Sequence, residues 1–424
     1  MSGALRRAVT LLLLAPCVHA ATVANDTELE QRGARIGNIE IQVDDVFETR
    51  THLSAPYRIA NDLHISTHDA TVQNQLLFHT GDKYDHRLLD ETARILRAQR
   101  YLNEATVEPV RYNEADNTVD VMVRVHDVWT LSPGFSFGRK GGANNSKLTF
   151  EDMNFLGLGK QLTFARSANV DRTAWEFGYV DPNLLGSWWR LSAGYAALSD
   201  GDAKRLSLER PFYALDSRWS AGLSALDETS DVSRYSLGHV TERLQMQERK
   251  FEIGGGFSEG LHDGWTSRYL AGVRYDAREF QSLPDQPDAT IPTDRVVAYP
   301  WFGWEVLEDQ YVSTRNLDQI GRTEDVYLGL SAHLEAGFAA HALGSTNDGL
   351  ILNGSESTNT TAGQSNVHYL ADITITGTHT GYLKGDATLN TFAQSMTGYV
   401  TSDLDGDVQS LNDPANVAAA QQSV

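Results

Sequence analysis

Apolar and polar positions alternate with a period of two along most of the chain from Leu131 onward. For example, Trp175, Phe177 and Tyr179 are separated by a glutamate and a glycine. The same pattern returns in the segments 189–195, 219–225, 251–253, 271–275, 328–332 and 373–375. Segments of about ten residues with one apolar face and one small or charged face are typical of membrane β-barrel strands. The pattern therefore predicts a mainly β fold, a transmembrane antiparallel β-barrel over residues 131–396.

A secreted β-sandwich or jelly roll would alternate in the same way, so other features must separate the two classes. Tyr and Trp occur near many strand ends, as in the aromatic belts at a lipid–water boundary. The connections are also unequal: 181–187 and 211–217 are short, whereas 281–294 and 341–366 are long and polar. Both features favour the membrane barrel. Because lipid cannot hydrogen-bond an open strand edge, such a sheet has to close.

The preceding region, residues 36–130, has a mixed pattern. Three segments have the composition of strands, over 36–47, 105–112 and 119–125. Between the first two, residues 71–78 predict a short helix, and Asp85 is the predicted N-cap of a longer helix that ends at Ala98. The order strand, helix, helix, strand, strand predicts one small α+β domain. A linker is expected over residues 21–35.

Residues 1–20 have the pattern of a signal peptide. Arg6 and Arg7 precede an apolar core over 8–15, and residues 18–20 form a small-residue cleavage site. The chain's one cysteine, Cys17, lies inside this segment, so cleavage would leave no disulfide and no thiolate metal site. The formal net charge of -21 argues against nucleic acid as a partner. We therefore expect an exported bacterial protein.

Three motifs in the α+β region carry a family resemblance. They are LFHTGD at 77–82, LLDETA at 88–93 and LRAQRYL at 96–102. Together they resemble one copy of a POTRA (polypeptide-transport-associated) domain. The resemblance implies that the second strand is an exposed edge that pairs with an extended client peptide by β-augmentation.

That edge corresponds here to Ala105, Thr106, Val107 and Glu108. Pro109 follows it, and a proline lacks the N–H that strand pairing needs. A client-pairing edge and a protected edge are therefore both open interpretations of this strand.

The motifs at the start of the predicted barrel extend the resemblance to the BamA/TamA bacterial surface antigen family. DVWTL at 127–131, GFSFG at 134–138 and EDMNFLGLGK at 151–160 resemble the POTRA-to-barrel junction of that family. The resemblance implies a junction and turn motif made by Asp127, Trp129, Asn154, Phe155, Gly157 and Gly159.

The end of the chain departs from the family pattern. Family members are expected to have about 16 strands, an arginine-containing loop motif and a terminal aromatic residue. Alternation here gives about 12 strands, no arginine follows Arg322, and residues 397–424 form a polar tail. The chain is therefore expected to be truncated and its barrel incomplete.

No catalytic, cofactor-binding or metal-binding residue is predicted, and the chain is not expected to be an enzyme. Residues 134–138 match the G-x-S-x-G pattern, but a nucleophile elbow requires a strand-to-helix turn and this segment alternates like a strand. Charged residues are instead predicted to line the inner wall of the barrel, namely Glu176, Arg190, Arg205, Glu209, Glu252, Arg268 and Arg274.

The resemblance implies a role in the assembly, insertion or translocation of proteins, or of lipid, at the cell outer membrane, with the POTRA-like domain in the periplasm. The expected partners are outer-membrane lipid and lipopolysaccharide, together with unfolded client polypeptides or one dedicated exported protein. The main alternative is a dedicated secretion pore or passive channel with a POTRA recognition domain. An outer-membrane phospholipase or protease is disfavoured because no Ser/His/Asp or paired-acid constellation stands out.

Overall fold

Two sheets and one separate hairpin contain the strands of the described part of the chain. The computed structural model describes residues 25–46, 64–140, 143–317, 321–362, 365–378, 387–393 and 398–404. The predicted signal peptide lies outside the described residues. Among the described helices, none combines the length and the apolar character needed to cross a membrane.

The first sheet belongs to a small domain, whose described residues form three helices and three strands. These are α1 (Asp26–Gln31), β1 (Arg35–Asp44), α2 (Asp69–Gln73), α3 (His86–Arg97), β2 (Leu102–Asn113) and β3 (Thr118–Asp127). Strand β3 is central, parallel to β1 and antiparallel to β2. The order after α1 agrees with the sequence prediction. Helix α1 itself lies in the predicted linker, where one apolar residue, Leu29, is fully buried among polar neighbours that give no helical period.

The core of the small domain lies between its sheet and its helices. Four residues of β3 are fully buried, namely Val119, Val121, Val123 and Val125. They share one hydrophobic cluster with Leu89 and Leu96 of α3. The carboxylate of Asp85 accepts a hydrogen bond from the Arg87 N–H at 3.0 Å, so it caps α3 as predicted.

The rest of the described chain forms strands β4 to β20. They are β4 (Leu131–Lys140), β5 (Ala143–Phe155), β6 (Lys160–Ala168), β7 (Thr173–Asp181), β8 (Arg190–Leu198), β9 (Gly201–Arg210), β10 (Trp219–Ser236), β11 (His239–His262), β12 (Trp265–Ser282), β13 (Arg295–Glu308), β14 (Tyr311–Arg315), β15 (Thr323–Tyr327), β16 (Leu330–Ala339), β17 (Gly349–Ala362), β18 (Ser365–Thr378), β19 (Ala387–Ala393) and β20 (Gly398–Leu404). All except β14 and β15 belong to one antiparallel sheet, in which β13 pairs directly with β16. Strands β14 and β15 pair with each other as a hairpin.

The large sheet has 15 strands, with β4 and β20 at its two ends, whereas alternation in the sequence gives about 12. Strand β17 lies within the predicted loop 341–366, and β20 lies within the predicted polar tail. Both are paired along their backbones with a neighbouring strand. Backbone pairing does not require apolar side chains. Strands rich in Ser, Thr and Asn are therefore missed when strands are predicted from the alternation of apolar and polar residues.

One face of the large sheet, the outer face, exposes aromatic and aliphatic side chains. The register places Phe150 opposite Phe164, Phe164 opposite Phe177, and Phe177 opposite Tyr195, and all of these side chains are exposed. A second exposed row crosses β11, β12, β13 and β16 through Phe257, Tyr269, Trp304 and Leu334. Strands with one apolar face are therefore confirmed.

The opposite, inner face carries paired charges. The Arg274 guanidinium donates to Glu252 at 2.8 Å, to Glu335 at 2.9 Å and to the Tyr299 hydroxyl at 2.9 Å. Arg268 donates to Glu305 at 2.9 Å. The remaining residues predicted for this face are also in ion pairs: Glu176 with Lys147, Arg190 with Glu209, and Arg205 with Glu228.

Candidate functional site

The small domain meets the large sheet at a buried polar cluster around Asp127. The Asp127 carboxylate accepts hydrogen bonds from the Thr67 N–H at 2.8 Å and from the Thr67 hydroxyl at 2.6 Å. The His64 Nε2 atom lies 3.0 Å from the same carboxylate. A buried carboxylate is stable only when donors replace its water. Asp127 therefore fixes the segment around Thr67 against the end of β3.

Asn154 connects this cluster to the turn between β5 and β6. The side-chain nitrogen of Asn154 donates to the Thr67 hydroxyl oxygen at 2.8 Å. Its side-chain oxygen, Oδ1, accepts from the Gly159 N–H at 2.6 Å. Thr67 thus donates to Asp127 and accepts from Asn154. A continuous line of hydrogen bonds joins the small domain to the large sheet.

Gly157 and Gly159 let the same turn approach the small domain closely. Gly157 has φ +70°, and a Cβ atom there would lie 2.3 Å from the carbonyl oxygen of Ser66. Its own carbonyl accepts from the His68 N–H and the Thr71 hydroxyl, each at 3.0 Å. At Gly159, with φ +67°, a Cβ atom would lie 2.9 Å from Thr71 Cγ2. Left-handed backbone and missing space both require glycine at these positions.

The joint, defined as Thr67, Asp127, Asn154, Gly157 and Gly159, thus contains four of the six predicted junction residues. The other two, Trp129 and Phe155, lie on the surface beside it, 38% and 37% exposed. Sequence reasoning missed Thr67 and His64, because single polar residues in an irregular segment have no period or spacing that marks them.

Tyr101, from the third POTRA-like motif, packs beside the joint. Its hydroxyl accepts from the Gln75 side-chain amide at 2.7 Å, and burial raises its pKa to about 12. A Cβ atom on Gly159 would lie 3.1 Å from this hydroxyl. The motif residue therefore acts as part of the surface against which the β5–β6 turn packs.

Helix α3 makes a second contact with the large sheet, through the turn between β9 and β10. The buried Glu91 carboxylate accepts from the Leu215 N–H at 2.8 Å, and Arg87 is ion-paired with both Glu91 and Asp216. Burial raises the pKa of the Glu91 carboxyl. The turn and the helix share one charged interface.

The β14–β15 hairpin extends this second contact to the end of α3. Arg97 binds the Asp325 carboxylate with two nitrogens, at 2.6 and 2.9 Å. The Arg94 guanidinium lies 4.4 Å from the centre of the Tyr311 ring. The small domain is therefore held in two places across the end of the large sheet at which β4 begins.

The predicted client-pairing edge is partly occupied in the structure. Strand β2 is an edge of the small sheet, but the Ala105 carbonyl accepts from Arg97 at 2.9 Å. Because N–H and C=O groups of alternate residues point to the same side of a strand, Val107 and Pro109 share this side with Ala105. Pro109 has no N–H, so Val107 is the residue of this stretch for which the described part of the chain provides no partner to either group. Client pairing at Ala105, Thr106, Val107 and Glu108 stays a prediction.

The G-x-S-x-G segment is part of a strand. Ser136 lies in the middle of β4, where it pairs with Lys147 of β5. A nucleophile elbow requires a sharp turn into a helix, and this backbone is extended. Among the described residues, no group of three or more His, Cys, Asp or Glu side chains is placed to hold a metal ion.

Comparisons with known proteins give structural likenesses of low similarity. No family model matches the sequence, and no curated protein matches it. BamA from Haemophilus ducreyi lacking POTRA domains 1-3 aligns with 11% identity and a TM-score of 0.35, covering 87% of this chain and 82% of that chain. CdiB from Acinetobacter baumannii aligns with 10% identity and a TM-score of 0.32, covering 87% of this chain and 69% of that chain. TM-scores at this level do not establish a common fold.

A glycine substitution tests the close approach at the joint. In Gly157→Ala the new Cβ meets the Ser66 carbonyl, so the turn and segment 64–71 must separate. Gly238→Ala is the matched control, since its φ of +80° imposes similar backbone strain of about 1–2 kcal/mol with no atom within 4 Å of the new Cβ. We expect faster amide hydrogen exchange over 64–71 in Gly157→Ala alone. Unchanged exchange there would contradict the role given to the joint.

Proposed function

We propose that this chain is an outer-membrane β-barrel protein of the BamA/TamA type, with the small domain in the periplasm. The observation that carries the proposal is the outer face, where aromatic side chains lie exposed opposite one another across many strands. Soluble proteins rarely expose contiguous apolar patches larger than a few hundred Å². Lipid is the solvent that suits such a face, and the paired charges on the inner face suit a barrel interior.

The proposed role is the insertion, assembly or translocation of client polypeptides at the outer membrane. Two observations support it beside the membrane-facing surface. The sequence motif that resembles the family's junction coincides with the joint, where Asp127, Asn154, Gly157 and Gly159 meet. The small domain also lies across one end of the sheet, where it would meet a polypeptide arriving from the periplasm.

The inner face disfavours the alternative of a passive channel. The β9–β10 turn, residues 211–217, folds onto the inner wall, where Phe212 lies 3.1 Å from the Cβ position of Gly256. The Arg268 guanidinium lies 4.7 Å from the centre of the Phe212 ring and also contacts the Ala214 carbonyl. An aromatic ring held over a paired arginine covers part of the inner face at this end of the sheet. A polypeptide-assembly role agrees better with this arrangement than free diffusion of solutes does.

Membrane placement predicts an asymmetric response to charge on the two faces. Phe177→Arg puts a cation on the lipid-facing side, which costs about 2–4 kcal/mol near the midplane. Ser207→Arg is the control and puts the cation on the inner face. There Ser207, Glu209 and Glu252 line one cavity. In isolated outer membranes, heat-modifiable protein on a denaturing gel should decrease for Phe177→Arg and persist for Ser207→Arg. Equal tolerance of both would contradict a lipid-facing outer face.

Depletion of the protein distinguishes a role in assembling many clients from a role in exporting one dedicated protein. If it assembles many clients, quantitative proteomics of the outer membrane after depletion should show lower levels of several unrelated β-barrels. A dedicated exporter should instead leave these levels unchanged and lose one secreted protein from the medium. The second outcome would overturn the proposed assembly role.

Site-specific photo-cross-linking tests client pairing at β2. Glu108 and Glu40 are both exposed, and each lies opposite Met122 of the central strand, on the two opposite edges of the small sheet. With p-benzoylphenylalanine in place of Glu108, we expect cross-links to an unfolded β-barrel precursor added to the reconstituted protein. The same replacement at Glu40 is the matched control. Equal yields at both positions, or none at Glu108, would contradict pairing at this edge.

A further inference from the structure

We infer that an apolar patch at the joint binds the headgroup region of the periplasmic leaflet and holds one flank of the small domain against the membrane. The patch consists of Ile65, Trp129, Leu131 and Leu156, which line one shallow pocket with a volume of about 50 Å³. Ile65, Trp129 and Leu156 are exposed. The inference rests on the proposed membrane placement and goes beyond it, because it concerns the small domain and the turns below the barrel wall.

The patch is continuous with the outer face of the large sheet. Leu131 lies on the same side of β4 as Phe135, since residues four apart in a strand share a face. Phe135 is exposed and pairs with the exposed Leu148 of β5. Leu131 is thus the point at which the lipid-facing surface passes into the patch.

The depth of the patch agrees with the interfacial region of a bilayer. Trp129 precedes Leu131 by two residues, a distance of about 7 Å at roughly 3.3 Å per residue. The region between the hydrocarbon core and bulk water is about 5–8 Å thick in each leaflet. Trp is enriched at this level because its ring is apolar and its N–H is polar.

The chemistry of the patch favours lipid over a peptide partner. Several of its polar groups already have partners: His64 is bound to Asp127, and the Asp152 carboxylate accepts from the Asn154 N–H at 3.0 Å. The Thr130 carbonyl accepts from the Met153 N–H. A bound peptide needs free donors and acceptors for its backbone, whereas the boundary between headgroups and acyl chains accepts apolar side chains and a Trp ring without them.

Fluorophore-labelled single cysteines test the inference in the full chain reconstituted in phosphatidylethanolamine–phosphatidylglycerol vesicles. Cys17→Ser removes the native thiol, so Leu156→Cys and, independently, Ile65→Cys each provide one label site. Phe137→Cys on the outer face is the lipid-exposed control. Leu237→Cys is the water-exposed control, because Leu237 is 98% exposed at the tip of the β10–β11 hairpin.

Labels at Leu156 and Ile65 should be quenched several-fold more by lipids with a quencher near the headgroup than by iodide in water. Quenching of both labels by iodide to the extent seen at Leu237, with Phe137 still quenched by lipid, would overturn this inference and leave the membrane placement intact. Absence of lipid quenching at Phe137 as well would overturn the membrane placement itself.

Discussion

The buried carboxylate of Asp127 is the interaction on which the arrangement of the two sheets depends. It ends the central strand of the small domain, and its donors come from the segment before α2. Through Thr67 the same hydrogen-bonded line reaches Asn154 in the large sheet. Leaving a buried hydrogen-bonding group without its partner costs about 1–3 kcal/mol, so these three chain segments are held together. The direction in which β4 leaves the small domain follows from this constraint.

The contact along α3 adds a second point of attachment, which prevents rotation about the joint. It uses another buried carboxylate, Glu91, together with the bidentate pair of Arg97 and Asp325. Arg97 also binds the Ala105 carbonyl at the edge of β2. One arginine therefore connects the attachment of the small domain with the state of its strand edge. A movement of Arg97 away from Asp325 would therefore also affect its bond to the Ala105 carbonyl at this edge.

The two faces of the large sheet obey opposite requirements in the proposed membrane setting. Lipid accepts the aromatic outer face without cost, but every charge on the inner face needs a partner or water. Arg274 of β12 has three such partners, on β11, β13 and β16, and Arg268 is paired with Glu305. The turn that carries Phe212 fills space next to them. Part of the inner face is thus covered by side chains of one turn.

The sequence by itself determined the features that depend on local order along the chain. Alternation predicted the two-faced strands, the Asp85 cap predicted the start of α3, and a family resemblance marked the turn that contains Asn154, Gly157 and Gly159. Only the tertiary structure decided what these elements contact. Thr67 and Glu91 gain their roles from residues 60 to 124 positions away, and such contacts leave no periodic signal. The strands β17 and β20 likewise became apparent only from their backbone pairing with a neighbouring strand. Hydrogen bonds between main chains do not require the alternating side chains from which strands were predicted.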